Sequence, residues 1–125
     1  MKIGLIAPFF MPEIGGANLY CYELACALGQ LGHEVHVFSI PGAQQDPRYH
    51  LHTALTRKLE HDIPYLLRHK MDVWHSLFFY HAPLALHHPR VFATVHGDDG
   101  FSFQLRYRLP GRDTFTRTLP LYLQY

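Results

Sequence analysis

Gly15 and Gly16 stand side by side in the run Ile14-Gly15-Gly16-Ala17-Asn18, between an apolar stretch and a segment with helical periodicity. Backbone N–H groups at a helix start lack intrahelical partners and carry partial positive charge. Glycines there remove the Cβ, so a diphosphate can approach those groups closely. On residue physics alone, a tight turn with no ligand accounts for the pair equally well. The pattern is neither GxGxxG nor GxxxxGK[ST], so the ordinary dinucleotide fingerprint and the P-loop are both absent.

Eleven histidines raise the question of a metal. His33/His36, His50/His52 and His87/His88 are near neighbours, but none makes a helical i, i+4 pair or has a cysteine beside it, and no CxxC or HExxH occurs. Ligands this scattered predict no metal site. The only cysteines, Cys21 and Cys26, fall on one predicted helix. Five helical residues separate them by roughly 7.5 Å along the axis and about 140° around it, which excludes a disulfide and predicts two small packed thiols.

The elements that must position these residues alternate. Residues 2–7 are short, apolar and stopped by Pro8, which predicts a buried parallel strand. Residues 17–31 place Cys21, Leu24, Leu28 and Leu31 on one helical face, with Gly32 as the residue that ends the helix. Residues 33–39 alternate as a second strand, stopped by Pro41-Gly42. A short strand near 49–52 follows a polar loop. Leu55, Leu59, Ile63 and Leu66/Leu67 have helical spacing, with Pro64 as a break or kink. Residues 71–76 form the next strand and 80–87 a short helix. Residues 90–96 form another strand, turned by Gly97-Asp98-Asp99-Gly100. The tail beyond Phe101 is weakly patterned.

This alternation predicts one α/β domain over residues 1–125, a Rossmann-like, doubly wound parallel sheet covered on both faces. Ligands in such sheets sit beyond the carboxyl ends of the strands, which points to 8–16, 39–42, 75–80 and 96–100. The chain has 125 residues, 48% apolar and 17% charged, enough for a real core and unlike a disordered composition. A net charge of +1 gives no support to nucleic-acid binding. No apolar run reaches the ~18–20 residues of a membrane span. The N-terminus loosely mimics a signal peptide but lacks a small-x-small cleavage site, so a cytoplasmic protein is expected.

The order of the pieces is more specific than any one of them. Pro12-x-x-Gly15-Gly16, then Glu23-Leu24-Ala25-x-x-Leu28, then Leu31-Gly32-His33-Glu34-Val35-x-Val37 resembles the N-terminal domain of family-4 retaining glycosyltransferases, two-domain enzymes of the GT-B type. Asp72-Val73-Trp74-His75 is similar to that family's D-[VI]-[VI]-H strand, and Ala93-Thr94-Val95-His96-Gly97 to its V-T-x-H-[DG] strand. The resemblance covers roughly residues 2–100.

The resemblance implies an N-terminal half that holds the acceptor and closes over a nucleotide-diphosphate-sugar, the co-substrate. Gly15 and Gly16 would face the donor's phosphates and transferring sugar. Asn18 is an acceptor candidate, with helix capping as the equal alternative. His96 is the best candidate for the reaction centre, since an imidazole at a strand's carboxyl end can donate to and accept from sugar hydroxyls. Its plainer reading is a loop histidine bonded to backbone. His75 is a further acceptor candidate, although Leu77 stands where the family often has a second histidine. Phe78-Phe79-Tyr80 suits stacking on a sugar, core packing or lipid. Asp98 and Asp99 suit sugar hydroxyls or plain solvation. No metal is expected in the reaction.

The family's C-terminal domain, with its Glu-x7-Glu motif, is not in this sequence. The chain is therefore expected to be a truncated half, inactive without that partner domain, serving transfer of a sugar to a carbohydrate or lipid-linked acceptor in polysaccharide or glycoconjugate synthesis. The alternative is a non-catalytic carbohydrate- or nucleotide-binding α/β module. Arg106, Arg108, Arg112 and Arg117 make the tail basic. A solvated surface is the default reading there, and peripheral attraction to an anionic inner membrane face the other.

Overall fold

A computed structural model of the chain describes residues 1–8, 10 and 16–94, with only the backbone at Phe79. Five strands form one all-parallel sheet: β1 (Lys2–Ile6), β2 (Glu34–Phe38), β3 (His50–His52), β4 (Val73–Ser76) and β5 (Val91–Ala93), in the order β3-β2-β1-β4-β5. Helices α1 (Gly16–Gln30) and α2 (Leu59–Leu67) and a 3₁₀ segment, Phe79–Leu86, make the crossovers. The chain winds outward from β1 in one direction through β2 and β3, then returns to β4 on the other side. The topological switch point therefore lies between the carboxyl ends of β1 and β4.

Strand alternation sorts the core into two clusters. Ile3, Leu5 and Ala7 join Val35, Val37 and Leu77 under α1, whose buried residues are Cys21, Ala25 and Cys26. Ile6, Phe38 and Trp74 pack on the opposite face with Leu66 of α2 and Leu84 of the 3₁₀ segment. On that second face Trp74 lies across Gly4, where a Cβ would come within 2.4 Å of the indole. No other residue type fits that contact without moving the ring. Helix α1 ends in a Schellman motif. His33 N–H donates to the Leu28 carbonyl and Gly32 N–H to that of Gly29, with Gly32 at φ +88°.

Three details differ from the sequence-based expectations. Leu31 does not share the buried face of α1; it lies beyond the last helical residue and is 74% exposed, while Ala25 and Cys26 fill the stripe. Helix α2 runs through Pro64 instead of breaking there. Pro64 and Glu60, whose carbonyl loses that N–H, are both exposed, so water can satisfy it. Strand β5 is the edge of the described sheet, with Phe92 exposed, so it lacks the two-sided burial its apolar run suggests. Cys21 and Cys26 are both buried free thiols, and burial pushes the Cys21 thiol up to about 12.

Candidate functional site

The segments leaving the carboxyl ends of β1, β3 and β4 enclose a cavity of about 420 Å³ lined by Pro8, Thr56, Arg57, Lys58, Phe78 and Tyr80. Volume and position both suit a small-molecule site at the switch point. The lining is mostly apolar, with Pro8, Phe78 and Tyr80 supplying much of it, and Thr56, Arg57 and Lys58 form its polar wall.

That polar wall is held from behind by a buried carboxylate. Asp62, in the first turns of α2 and 1% exposed, accepts at Oδ1 from the Thr56 N–H (2.8 Å) and the Thr56 hydroxyl (2.9 Å). Its Oδ2 accepts from the Arg57 N–H (3.0 Å) and from Nε2 of the fully buried His81 (2.8 Å). Burial raises the Asp62 pKa, but the bonds from His81 and Thr56 pull it further the other way, so it stays below the ordinary carboxylate value. The Tyr80 hydroxyl donates to the Arg57 carbonyl (2.6 Å). Arg57 is thereby held at φ +65°, the single non-glycine residue with positive φ among those described. A loop fixed in an uncommon conformation by a buried charge is a preorganised wall, at a cost of order 1–2 kcal/mol in backbone energy.

Below this wall, buried Ser39 gathers the strand ends. Its hydroxyl donates to the Pro8 carbonyl (3.3 Å) and accepts from the Phe10 N–H (3.3 Å), while its backbone bonds His52 and Leu55. The segments leaving β1 and β3 thus converge on one residue.

A model of the family described as Glycosyltransferase Family 4 matches residues 14–124. The chain belongs to glycosyltransferase family 4. It is an N-terminal domain of such an enzyme, and the parallel α/β sheet agrees with that. A comparison with curated protein sequences gives no match.

The residues singled out from this glycosyltransferase's sequence sit as follows. Gly16 opens α1, and a Cβ there would meet nothing within 4 Å among the described residues, so internal packing does not demand glycine at that point. Asn18 lies two residues inside α1, and its buried Oδ1 has no hydrogen-bond partner among the described residues. His75, on β4, places Nε2 2.6 Å from the Thr94 hydroxyl and so ties β4 to the end of β5. Gly15, His96, Asp98, Asp99 and the arginines Arg106, Arg108, Arg112 and Arg117 lie outside the described residues. Of the strand-end segments singled out, 75–80 contributes to the cavity through Phe78 and Tyr80, and 8–16 through Pro8.

Sequence reasoning missed Thr56-Arg57-Lys58, Asp62 and His81. The only signal was the loop after a three-residue strand, too short for periodicity to establish. No helix among the described residues is long and apolar enough to cross a membrane.

Proposed function

We propose that this chain is the acceptor-binding half of a retaining glycosyltransferase of the GT-B type, which transfers a sugar from a nucleotide-diphosphate-sugar to a saccharide or lipid-linked acceptor. The observation that carries the reading is the cavity at the switch point, with rings in a mostly apolar lining and Thr56, Arg57 and Lys58 as its polar wall. The rings of Phe78 and Tyr80 suit the apolar face of a sugar, and the hydroxyl and cations suit its hydroxyls or an attached phosphate. Such a mix fits a phosphorylated or lipid-phosphate-linked saccharide better than a neutral one.

In this reading Gly15, Gly16 and the start of α1 face the donor's diphosphate. The space around Gly16 among the described residues supports that assignment, and so does the buried Oδ1 of Asn18, which has no hydrogen-bond partner among them. His96 meets the sugar at the reaction centre, with His75 positioning the strand end before it. Catalysis comes from closing two domains around donor and acceptor and stabilising the leaving diphosphate. It needs no metal in that step. The donor-binding half is a separate domain, so residues 1–125 by themselves transfer no sugar.

Incubation of the purified chain with UDP-glucose or GDP-mannose is the test. The reading expects no release of nucleotide and no micromolar binding of UDP or GDP. Turnover by the chain alone would contradict the division of labour. Micromolar nucleotide binding would replace the reading with a nucleotide-binding module.

A further inference from the structure

The pairing of β2 with β3 brings together histidines that are far apart in sequence. His36 and His50 are register partners across the parallel ladder, and Glu34 lies two residues before His36 on the same face. One ligand atom each from Glu34, His36 and His50 falls within 4.8 Å of the others. His36 Nε2 is 2.8 Å from Glu34 Oε1, and the His36 and His50 rings stack at 4.8 Å. We infer that this edge of the sheet is a binding site for one divalent transition-metal ion of the zinc class, with Glu34, His36 and His50 as its ligands.

The geometry is close to what such an ion requires. Donors about 2.0–2.1 Å from a tetrahedral ion lie roughly 3.4 Å apart. Glu34 and His36 must open by about 0.5 Å, and the exposed His50 must close by at most about 1.4 Å, both within reach of side-chain rotation. The ion takes the place of the proton between His36 Nε2 and Glu34 Oε1, which leaves to solvent, and His36 keeps its ring proton on Nδ1, donated to His52 Nε2. His36 also has the outer partner that metal-bound histidines commonly use: its Nδ1 is hydrogen-bonded to His52 Nε2 at 2.9 Å, which fixes the ring with Nε2 toward Glu34. Two imidazoles and one carboxylate, with no thiolate, select borderline ions such as Zn²⁺, Ni²⁺ or Cu²⁺ over calcium or magnesium.

One resident charge opposes the ion. The Lys2 ammonium is 3.5 Å from Glu34 Oε1, so metal and lysine compete for that carboxylate. Glu34 and His50 open their strands, whereas the cavity lies beyond the carboxyl ends. The ion therefore takes no part in sugar transfer; it clips the three-residue edge strand β3 to β2.

Calorimetric titration of the chain with Zn²⁺, with Co²⁺ absorption as a second readout, tests the site. The expected result is one ion per chain. His50→Ala and Glu34→Gln should each weaken binding about tenfold or more. Lys2→Gln should tighten it, and His61→Ala and His87→Ala, both at exposed histidines elsewhere, should leave it unchanged. A Zn²⁺-dependent rise in Tm should vanish in His50→Ala, which alters an exposed side chain and leaves the core intact. No binding, or binding insensitive to His50→Ala and Glu34→Gln, would overturn the proposal. Equal losses in His61→Ala and His87→Ala would do the same, because they would mean diffuse binding over many histidines.

Discussion

Two carboxylates, Asp46 and Asp62, are both held below their ordinary pKa by partners, yet they do different work on opposite faces of the sheet. Asp46 lies on the α1 side, where Arg48 grips it through two side-chain nitrogens at 2.7 and 2.8 Å and Tyr22 adds its hydroxyl at 3.1 Å. That network sits on the rim of a face otherwise filled by aliphatic side chains, thiols and the T-shaped ring pair Phe10–Tyr49. Asp62 lies on the α2 side and is almost fully enclosed, with three of its four bonds spent on the loop that walls the cavity and the fourth on His81. The contrast teaches where this fold places its costly polar group. A buried charge is a poor device for stability alone. Here it stands behind the binding wall, whereas on the α1 face the charged pair of Asp46 and Arg48 lies at the rim.

The largest effect that would sharpen this contrast is Asp62→Ala. It leaves the Thr56 and Arg57 N–H groups and the His81 ring without their buried acceptor, for an expected loss of about 3–5 kcal/mol in denaturant unfolding. A loss below about 1 kcal/mol would mean that the carboxylate is not the post that holds the wall. The acid dependence has a fixed sign. The folded pKa of Asp62 is lowered, so its contribution is full above the unfolded value of about 3.9 and is lost as the pH falls through the folded one. The stability gap between the wild-type chain and Asp62→Asn should be constant above about pH 5 and shrink below about pH 4.

Next in size is Gly4→Ala. A methyl 2.4 Å from the Trp74 ring overpacks the α2 face, for an expected loss of about 1–3 kcal/mol. A neutral result would show that the ring can slide, and that this face is looser than its burial implies. Asp46→Asn should be smaller than either, because its partners stay solvated once it is gone. If it matched Asp62→Ala, the distinction between the two carboxylates would fail. The smallest stability change is expected for Lys58→Gln, within about 0.5 kcal/mol, because it alters an exposed side chain and keeps the backbone bonds to the Thr56 hydroxyl and the Asp62 N–H. Its effect should fall on ligand binding instead.

The fold is legible in the sequence wherever a rule acts over a few residues. Lys2–Ile6 reads as a buried strand from its own apolarity, and Gly32 as a helix stop because only the left-handed conformation closes the turn there. Leu31 is misread because periodicity continues past the point where the backbone leaves the helix. The family, too, is legible from the order of Gly15-Gly16, Gly32-His33-Glu34-Val35 and Asp72-Val73-Trp74-His75. The cavity wall is not. Arg57 adopts positive φ without a glycine to mark it, and its support comes from Asp62, five residues on, and His81, nineteen beyond Asp62. Strand β3 has three residues, too few to show alternation, so neither the loop that follows it nor the meeting of His36 with His50 can be read from spacing.

The most direct test of the acceptor-site reading is a titration of the ¹⁵N-labelled chain with glucose 6-phosphate, glucose and UDP, followed by backbone amide shifts. Glucose 6-phosphate should perturb Thr56, Arg57, Lys58, Phe78 and Tyr80 more strongly than glucose does, and the response should fall sharply in Lys58→Gln. UDP should leave those amides unmoved. Shifts for UDP at that wall, or saccharide shifts confined to residues away from it, would contradict the assignment of the cavity to the acceptor.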